Sequence, residues 1–287
     1  SEFDRALEAY QADDHKLAFS IFQKLANTGN VDAKNMLGKY YELGYAVDTD
    51  FVKSARWSLE AAKAGNAEAQ IRIARFYVKG QGVERDYWEA MKWSRKAAVQ
   101  GNAEAQANIG YMYHDGVGVR QDYREAMKWY LKAAEQGLPS AQHNLGVMYQ
   151  NGRGIDKDIR QAVEWYRKAA DRGYLPSQAN LNNIYLKNDI VPEDDATAFE
   201  WLMAHAREKH VVEQFHVGRM YRDGDGVDRD DVRAFAWMGI AAAGGFKLAE
   251  NGRDEVALLL NSSELEQARE LARTLWEHYG NQEPEEN

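Results

Sequence analysis

The sequence predicts an all-α, right-handed superhelical solenoid of helix-turn-helix repeats with a period of 36 residues. The first observation is a series of tryptophans with that constant step, at Trp57, Trp93, Trp129, Trp165, Trp201 and Trp237. Tyrosines keep the same step from Tyr41 to Tyr221, and aspartates keep it from Asp14 to Asp230. A fixed period of this length is the signature of stacked supersecondary units. The third observation is that only 4 of the 287 residues are proline, which favours long helices over loop-rich or all-β architectures.

Residues 1–30 are predicted to form an N-terminal capping hairpin. Tyr10 stands four residues before Asp14, whereas Tyr41 stands nine residues before Asp50, so the turn of this hairpin is shorter than those that follow. Its second half keeps the spacing of one apolar helix face, with Ala18, Ile21, Phe22, Leu25 and Ala26.

Residues 31–246 divide into six repeats, and the third of them shows how a unit is built. The six units span residues 31–66, 67–102, 103–138, 139–174, 175–210 and 211–246. In unit 103–138, apolar residues from Ala105 to Tyr113 follow helical spacing, and Gly110 allows a close approach of two helices. Gly116 and Gly118 can supply the positive φ angles that end the helix and turn the chain.

The second helix of that unit is predicted to begin after Asp122, whose carboxylate can accept hydrogen bonds from exposed backbone N–H groups. Its apolar stripe has the spacing of one helix face and comprises Ala126, Trp129, Tyr130, Ala133 and Ala134. We therefore expect the periodic tryptophans and tyrosines to be core residues. Each hairpin exposes apolar surface that only its neighbours can cover, so the whole chain is predicted to be one solenoid domain.

The end of the chain is predicted to close the solenoid. Residues 247–279 form C-terminal capping helices, the last of which starts with the pattern Ser263-Glu264-Leu265-Glu266, typical of a capping box. Residues 280–287 are polar and acidic and are expected to be a frayed tail.

Unit 175–210 breaks the pattern. Asn182 replaces a small residue, Asn188 and Ile190 replace both loop glycines, and His205 replaces an alanine of the second helix. One interpretation is a softer joint between repeats, since degenerate units are common near solenoid ends. The other is a contact loop from Leu186 to Asp195 that presents Ile190 to a partner. We favour the first interpretation, a softer joint between repeats.

The repeated pattern resembles the Sel-one-like repeat, a branch of the tetratricopeptide-type helical solenoids. The resemblance rests on the motif Ala-x-Ala-Gln-x-x-(Leu/Ile)-Gly-x-x-Tyr, followed by Gly-x-Gly-Val-x-x-Asp and Ala-x-x-Trp-Tyr-x-x-Ala-Ala-x-x-Gly. Unit 139–174 carries it at Gln142, Leu145, Gly146, Tyr149, Gly152, Gly154, Asp158, Ala162, Trp165, Tyr166, Ala169, Ala170 and Gly173. It covers residues 31–246 well and the end hairpins loosely.

The resemblance implies a non-enzymatic scaffold or adaptor that binds a partner protein or peptide segment, with no cofactor. Such proteins are common in bacteria, where some assemble envelope complexes and others neutralise toxins as immunity proteins. An immunity-type inhibitor of a secreted toxin is therefore the first alternative, and a groove-based hydrolase or carbohydrate-binding protein is the second. Since the sequence shows no signal peptide, the compartment stays open, although we favour the bacterial periplasm over the cytoplasm.

In related tetratricopeptide solenoids the first helix of each unit lines a concave groove. The binding residues of this chain can therefore be predicted from their position in the repeat. Positions are counted from the first residue of each unit. Positions 2, 5, 9, 12 and 13 point into the groove, and positions 5, 9 and 12 are mapped onto this chain. The residues expected to bind a partner there are Arg75, Tyr111, His114, His143, Val147, Gln150, Asn183, Phe215, Arg219 and Arg222. An uncharged centre with cations at both ends suits a peptide or protein segment with acidic ends.

Composition excludes several other functions. Lys and Arg number 36 against 45 Asp and Glu, a net charge of −9, so nucleic acid is not an expected partner. The absence of cysteine removes disulfides, thiolate metal sites and a cysteine nucleophile. No apolar run is long enough to span a bilayer, and we expect no membrane insertion.

Four local patterns are better explained by structure than by chemistry. The Gly-x-Gly loops recur with the repeat and follow helices, so they are turns and not phosphate loops. The acidic run from Asp223 to Asp231 lacks the glycine at the sixth position of a calcium loop. His205 and His210 lack the spacing of a metal pair. Trp88 lies outside the tryptophan series, and we expect it to pack locally.

Overall fold

The computed structural model describes residues 1–186 and 195–280, and within these ranges every regular element is a helix. The prediction of an all-α solenoid is confirmed. The chain forms two compact units, an N-terminal unit from Ser1 to Gln136 and a C-terminal unit from Gly137 to Asn287.

The N-terminal unit contains four hairpins, in which consecutive helices pack against each other. Its helices are α1 (Glu2–Gln11), α2 (His15–Asn27), α3 (Val31–Leu43), α4 (Phe51–Lys63), α5 (Ala67–Lys79), α6 (Tyr87–Val99), α7 (Ala103–Asp115) and α8 (Tyr123–Glu135).

The C-terminal unit continues the same alternation of first and second helices. Its helices are α9 (Pro139–Asn151), α10 (Ile159–Ala170), α11 (Leu175–Leu186), α12 (Asp195–Arg207), α13 (Val211–Asp223), α14 (Asp231–Ala243), α15 (Lys247–Ala257) and α16 (Ser262–Tyr279). Asn188 and Ile190, and with them the proposed contact loop, lie outside the described residues.

The periodic aspartates begin the second helices, as predicted. The Asp122 carboxylate accepts a hydrogen bond of 3.0 Å from the backbone N–H of Glu125, and Asp50, Asp158 and Asp230 cap their helices in the same way. Each of these caps satisfies a backbone donor that has no partner inside the helix. The spacing between aspartates therefore sets the spacing between hairpins.

The turns of units 67–102, 103–138, 139–174 and 211–246 use both loop glycines, as predicted. Gly116 ends α7 with φ of 71°, and Gly118 has φ of 70°. A Cβ atom on Gly118 would lie 2.3 Å from the Cβ of Tyr87, the first residue of α6. The second glycine therefore allows the turn of one repeat to pack against the second helix of the repeat before it.

The prediction that the whole tryptophan series is core is wrong in part. Trp93 and Trp237 are buried, whereas Trp57, Trp129, Trp165 and Trp201 are only half-buried. Among the periodic tyrosines, Tyr185 and Tyr221 are buried, and Tyr41, Tyr77, Tyr113 and Tyr149 are half-buried. In the middle repeats the deepest aromatic residue is the tyrosine that follows the tryptophan.

The packing of Gly110 explains this correction. The Tyr130 ring lies directly over Gly110, where an added Cβ would come within 2.7 Å of it. Trp129 precedes Tyr130 and therefore lies about 100° away from it around the helix, at the edge of the apolar stripe. The Lys132 ammonium lies 4.4 Å from the centre of the Trp129 ring.

The start of the last helix also differs from the prediction. The N-cap is Asn261, whose side chain accepts from the backbone of Ser263 and Glu264, while the Glu264 carboxylate accepts from the Asn261 N–H at 2.9 Å. The capping box is therefore Asn261 with Glu264, two residues earlier than Ser263 with Glu266. Asparagine accepts these bonds as well as serine does, so the sequence holds two overlapping capping-box patterns, Asn261-x-x-Glu264 and Ser263-x-x-Glu266.

A buried glutamine at position 4 joins several of the repeats to the hairpin before them. The Gln70 side chain donates to the Ala62 carbonyl at 3.1 Å, and Gln178 and Gln214 make the same bond to Ala170 and Ala206. These carbonyls belong to the last turns of second helices, which lack partners within the helix. The glutamine of the repeat motif is thus a structural link.

We expect Gln70→Ala to lower the free energy of unfolding by about 1–2 kcal/mol, since it removes the bond to Ala62 and the one that Gln70 accepts from Gln100. Gln23→Ala, on the exposed side of α2, is the matched control and should change stability by less than about 0.5 kcal/mol. Urea unfolding followed by circular dichroism measures both, and equal effects would contradict the structural role of Gln70.

Candidate protein-binding surface

In the N-terminal unit the first helices are joined side by side by a polar network. The Glu42 carboxylate on α3 accepts from Arg72 at 3.0 Å and also from Arg75, both of which lie on α5. Arg72 is buried and donates in addition to the Asn35 side chain at 2.7 Å. The network fixes the two helices relative to each other, and Arg75 remains 44% exposed.

Tyr111 and His114 lie on α7, the next first helix. The Tyr111 side chain is 46% exposed, an unusual state for a large aromatic residue on an ordered helix. His114 is half-buried: its Nδ1 is hydrogen-bonded to Asp115, and its ring packs on Tyr123 with centroids 5.2 Å apart. Tyr111 is therefore presented to solvent, whereas His114 is held within the repeat.

In the C-terminal unit, three predicted binding residues of α9 take part in packing. His143 is half-buried between Tyr166 and Tyr174, and its Nδ1 is 2.9 Å from the Ser177 hydroxyl. Burial lowers the pKa of His143, so its ring is neutral at pH 7. Gln150 accepts a hydrogen bond of 2.6 Å from the Tyr166 hydroxyl, and Val147 packs against the same apolar cluster.

The remaining predicted residues lie on α11 and α13. Asn183 is exposed and Arg219 is half-buried. Phe215 packs edge-on against Phe246, with centroids 5.2 Å apart. Arg222 forms two hydrogen bonds with Asp223, of 2.7 and 2.9 Å.

The ten predicted residues thus differ in what they offer a partner. Position 9 of the repeat contributes the exposed ones, Arg75, Tyr111 and Asn183. Positions 5 and 12 contribute residues already committed to intramolecular bonds. We call Arg75 and Tyr111 the position-9 pair.

A buried ionic cluster in the C-terminal unit has no counterpart in the sequence prediction. Glu213 of α13 is 1% exposed, although position 3 holds alanine or serine in the other five repeats. Its carboxylate pairs with the buried Arg167 of α10 and accepts from the Tyr185 hydroxyl of α11 at 2.6 Å. Trp201 lies 5.3 Å from the Arg167 guanidinium.

The charges in this cluster stabilise one another. Burial raises the pKa of Glu213, but the charges of Arg167 and His210 and the hydrogen bonds from Tyr185 and Arg167 together outweigh it, and the net pKa lies below the ordinary value. Burial alone would lower the pKa of the neighbouring His210, yet Asp171, 2.7 Å away, raises it above the ordinary value. A carboxylate at a position where the repeat otherwise has alanine is the sequence signal that would have revealed this cluster.

Other features of the described residues bear on function. Trp88, on the first turn of α6, is 68% exposed, so the expectation that it packs locally is wrong. Residues 1–186 and 195–280 contain no helix with the length and apolar character needed to cross a membrane. The same ranges contain no group of three or more His, Asp or Glu side chains that could hold a metal ion.

Comparisons with known proteins agree with the architecture. The model of the Sel1 repeat, the Sel-one-like repeat of the sequence analysis, matches residues 31–66, 67–102, 103–138, 139–174, 177–202 and 214–246. The solved structure of a Sel1 repeat protein from Oxalobacter formigenes is 32% identical, with a TM-score of 0.63 over 84% of this chain and 99% of that chain.

A second solved structure is that of a protective antigen of uropathogenic Escherichia coli strains displaying an SLR fold. It is 28% identical over 92% of this chain, with a TM-score of 0.57, and this chain spans 64% of its length. The comparison with curated proteins found no match. Six matched repeats and a solved relative of the same kind show that this chain belongs to the Sel1 repeat family.

Proposed function

We propose that this protein is a non-enzymatic scaffold that binds a partner protein through the exposed residues of its first helices, centred on the position-9 pair. Sel1 repeat proteins generally mediate protein–protein interaction. The observation that carries the proposal for this chain is the exposure of Tyr111 and Arg75 at the same position of adjacent repeats.

Tyrosine and arginine are the residue types that supply much of the binding energy at protein interfaces. The polar network beneath Arg75 orders the side chain before binding, which reduces the entropy lost on association. Arg72 and Arg75 share the single carboxylate of Glu42. A partner segment with a carboxylate beside an apolar side chain would therefore be complementary to this surface.

The proposal is tested with a partner isolated from the native organism. Tyr111→Ala and Arg75→Ala should each weaken its affinity by about tenfold or more, as truncation of interface anchors does. Arg124→Ala, on the exposed side of α8, is the matched control and should leave affinity unchanged. Unchanged affinity in all three variants, with intact helical circular dichroism, would exclude this surface.

An immunity-type inhibitor is the more specific form of the proposal, in which the partner is a secreted toxin. The expected result is that the purified chain abolishes the activity of a toxin encoded beside its own gene, and that Tyr111→Ala relieves the inhibition. A general adaptor would bind its partner without inhibiting any activity.

A further inference from the structure

A cavity of about 630 Å³ lies between α14, α15 and α16 in the C-terminal unit. Its apolar lining includes Phe235, Ile240, Leu265 and Trp276. A volume of this size lies in the range of small-molecule sites, which are mostly apolar with a few polar groups.

Gly239, at position 29 of the last repeat, lines this cavity. That position carries Leu59, Arg95, Leu131, Arg167 and Met203 in the other repeats, and Gly239 in this one. A Cβ on Gly239 would make only ordinary contacts, 3.7 Å to Ala272 and 3.9 Å to Arg253. Packing does not require this glycine, unlike Gly110, and glycine inside a helix is destabilising relative to alanine.

Charged groups around the cavity determine which ligand it suits. Its walls include Arg253, Arg269 and Arg273 as cations and Asp254 and Glu277 as anions. Arg253 is bonded to Asp254, and Arg273 to Glu270 outside the cavity.

Arg269 forms no hydrogen bond or ion pair with any residue of the described ranges. Glu277 lies eight residues further along α16, about 12 Å from Arg269 along the helix axis. The positive end of the cavity is thus separated from its acidic end, with Leu265 and Trp276 on the same wall.

We propose that this cavity binds a small organic anion with an apolar, ring-containing body. The carboxylate would pair with Arg269 as a charge-assisted hydrogen bond, and the ring would fill the space that Gly239 leaves open against Trp276. This site is separate from the position-9 pair, so it goes beyond protein binding, and either proposal can fail alone.

Isothermal titration with 2-naphthylacetate tests the site, with the neutral 2-naphthaleneethanol as the matched probe. We expect the wild-type chain to bind the carboxylate with a Kd below about 1 mM and about tenfold tighter than the alcohol. Arg269→Gln should remove that preference, because it removes the charge and keeps the size. Arg160→Gln, exposed on α10, should bind as the wild type does.

Gly239→Leu, which introduces a residue found at this position in other repeats, should fill the cavity and weaken binding of both probes about tenfold or more. Its helical circular dichroism should be unchanged, and Gly239→Ala serves as the milder variant if it is not. The proposal is overturned if neither probe binds the wild type, if the alcohol binds equally well, or if the filled variants bind as tightly as the wild type.

Discussion

Arg167→Leu is expected to destabilise the C-terminal unit by about 3–5 kcal/mol, because it leaves the buried carboxylate of Glu213 without its counter-ion. Leucine is a residue that the repeat accepts at position 29, as at Leu59 and Leu131. The expected loss of stability therefore comes from the uncompensated charge of Glu213 and not from the shape of the leucine side chain.

The double variant Arg167→Leu with Glu213→Ala should recover most of that loss. It restores a combination already present at Leu59 and Ala105, which occupy the same two positions of the repeat with the same spacing of 46 residues. Replacing both members of a buried ion pair by apolar residues is often neutral or stabilising, whereas removing one member is not.

Arg95→Leu is the matched control at position 29, since Arg95 is exposed and bonds only the Tyr113 hydroxyl among the described residues, at 2.9 Å. It should cost less than about 1 kcal/mol. Urea unfolding of these three variants and of the single variant Glu213→Ala at pH 7 gives the comparison. If the losses of the two single changes at 167 and 213 simply add in the double variant, the two side chains are not coupled.

The C-terminal unit should lose stability as the pH falls from 7 to about 4, chiefly through His216. Burial lowers the pKa of His216 to about 3, and its Nε2 lies 3.2 Å from the Asn182 side-chain oxygen. Its folded pKa is below the unfolded value of about 6.5, so protons bind the unfolded chain more readily. The contribution of neutral His216 is complete above about pH 6.5 and is lost as the pH falls towards 3.

The size of this loss of stability follows from the pKa shift of His216. At about 1.4 kcal/mol for each pH unit below 6.5, roughly 3 kcal/mol would be lost by pH 4. His143, whose pKa is also lowered by burial, acts in the same direction. His210, whose pKa is raised, acts in the opposite direction. Glu213, with a lowered pKa, adds to the loss only below about 4.5.

His216→Asn tests this account, because asparagine occupies the same position at Asn108, Asn144 and Asn180. Urea midpoints measured at pH 7, 5.5 and 4.5 should fall steeply in the wild type and much less in His216→Asn. His278→Asn, on an exposed residue of α16, should behave as the wild type. A steep fall in His216→Asn would assign the acid sensitivity to other groups.

Local signals were enough to predict the helices. An aspartate cap acts within three residues and a glycine turn within a few more, so the start of each second helix at Asp50, Asp122 or Asp230 followed directly from the sequence. The partial exposure of Trp129 could not be predicted in this way, because Trp129 and Tyr130 are neighbours in the same apolar stripe. The residue on the facing helix, Gly110, decides that Tyr130 is the one that is fully buried.

The buried ionic cluster and the cavity of the C-terminal unit could not be predicted from the sequence. Glu213 and Gly239 are visible in the sequence as departures from the repeat, but neither names its partner. Glu213 meets Arg167 46 residues away, and only packed helices bring them together. Among the expected groove residues, position in the repeat located Arg75 and Tyr111 at the surface but could not show that His143 and Phe215 are packed.

The most direct test of the proposed function is photo-crosslinking in the native organism, with a photoreactive amino acid at residue 111 on α7 or at residue 124 on α8. Both positions are exposed, and both lie in the N-terminal unit. Binding through the first helices predicts one discrete crosslinked protein from residue 111, lost when Arg75 is also replaced by alanine, and none from residue 124. The same crosslinked protein from residue 124, with none from residue 111, would contradict the proposal.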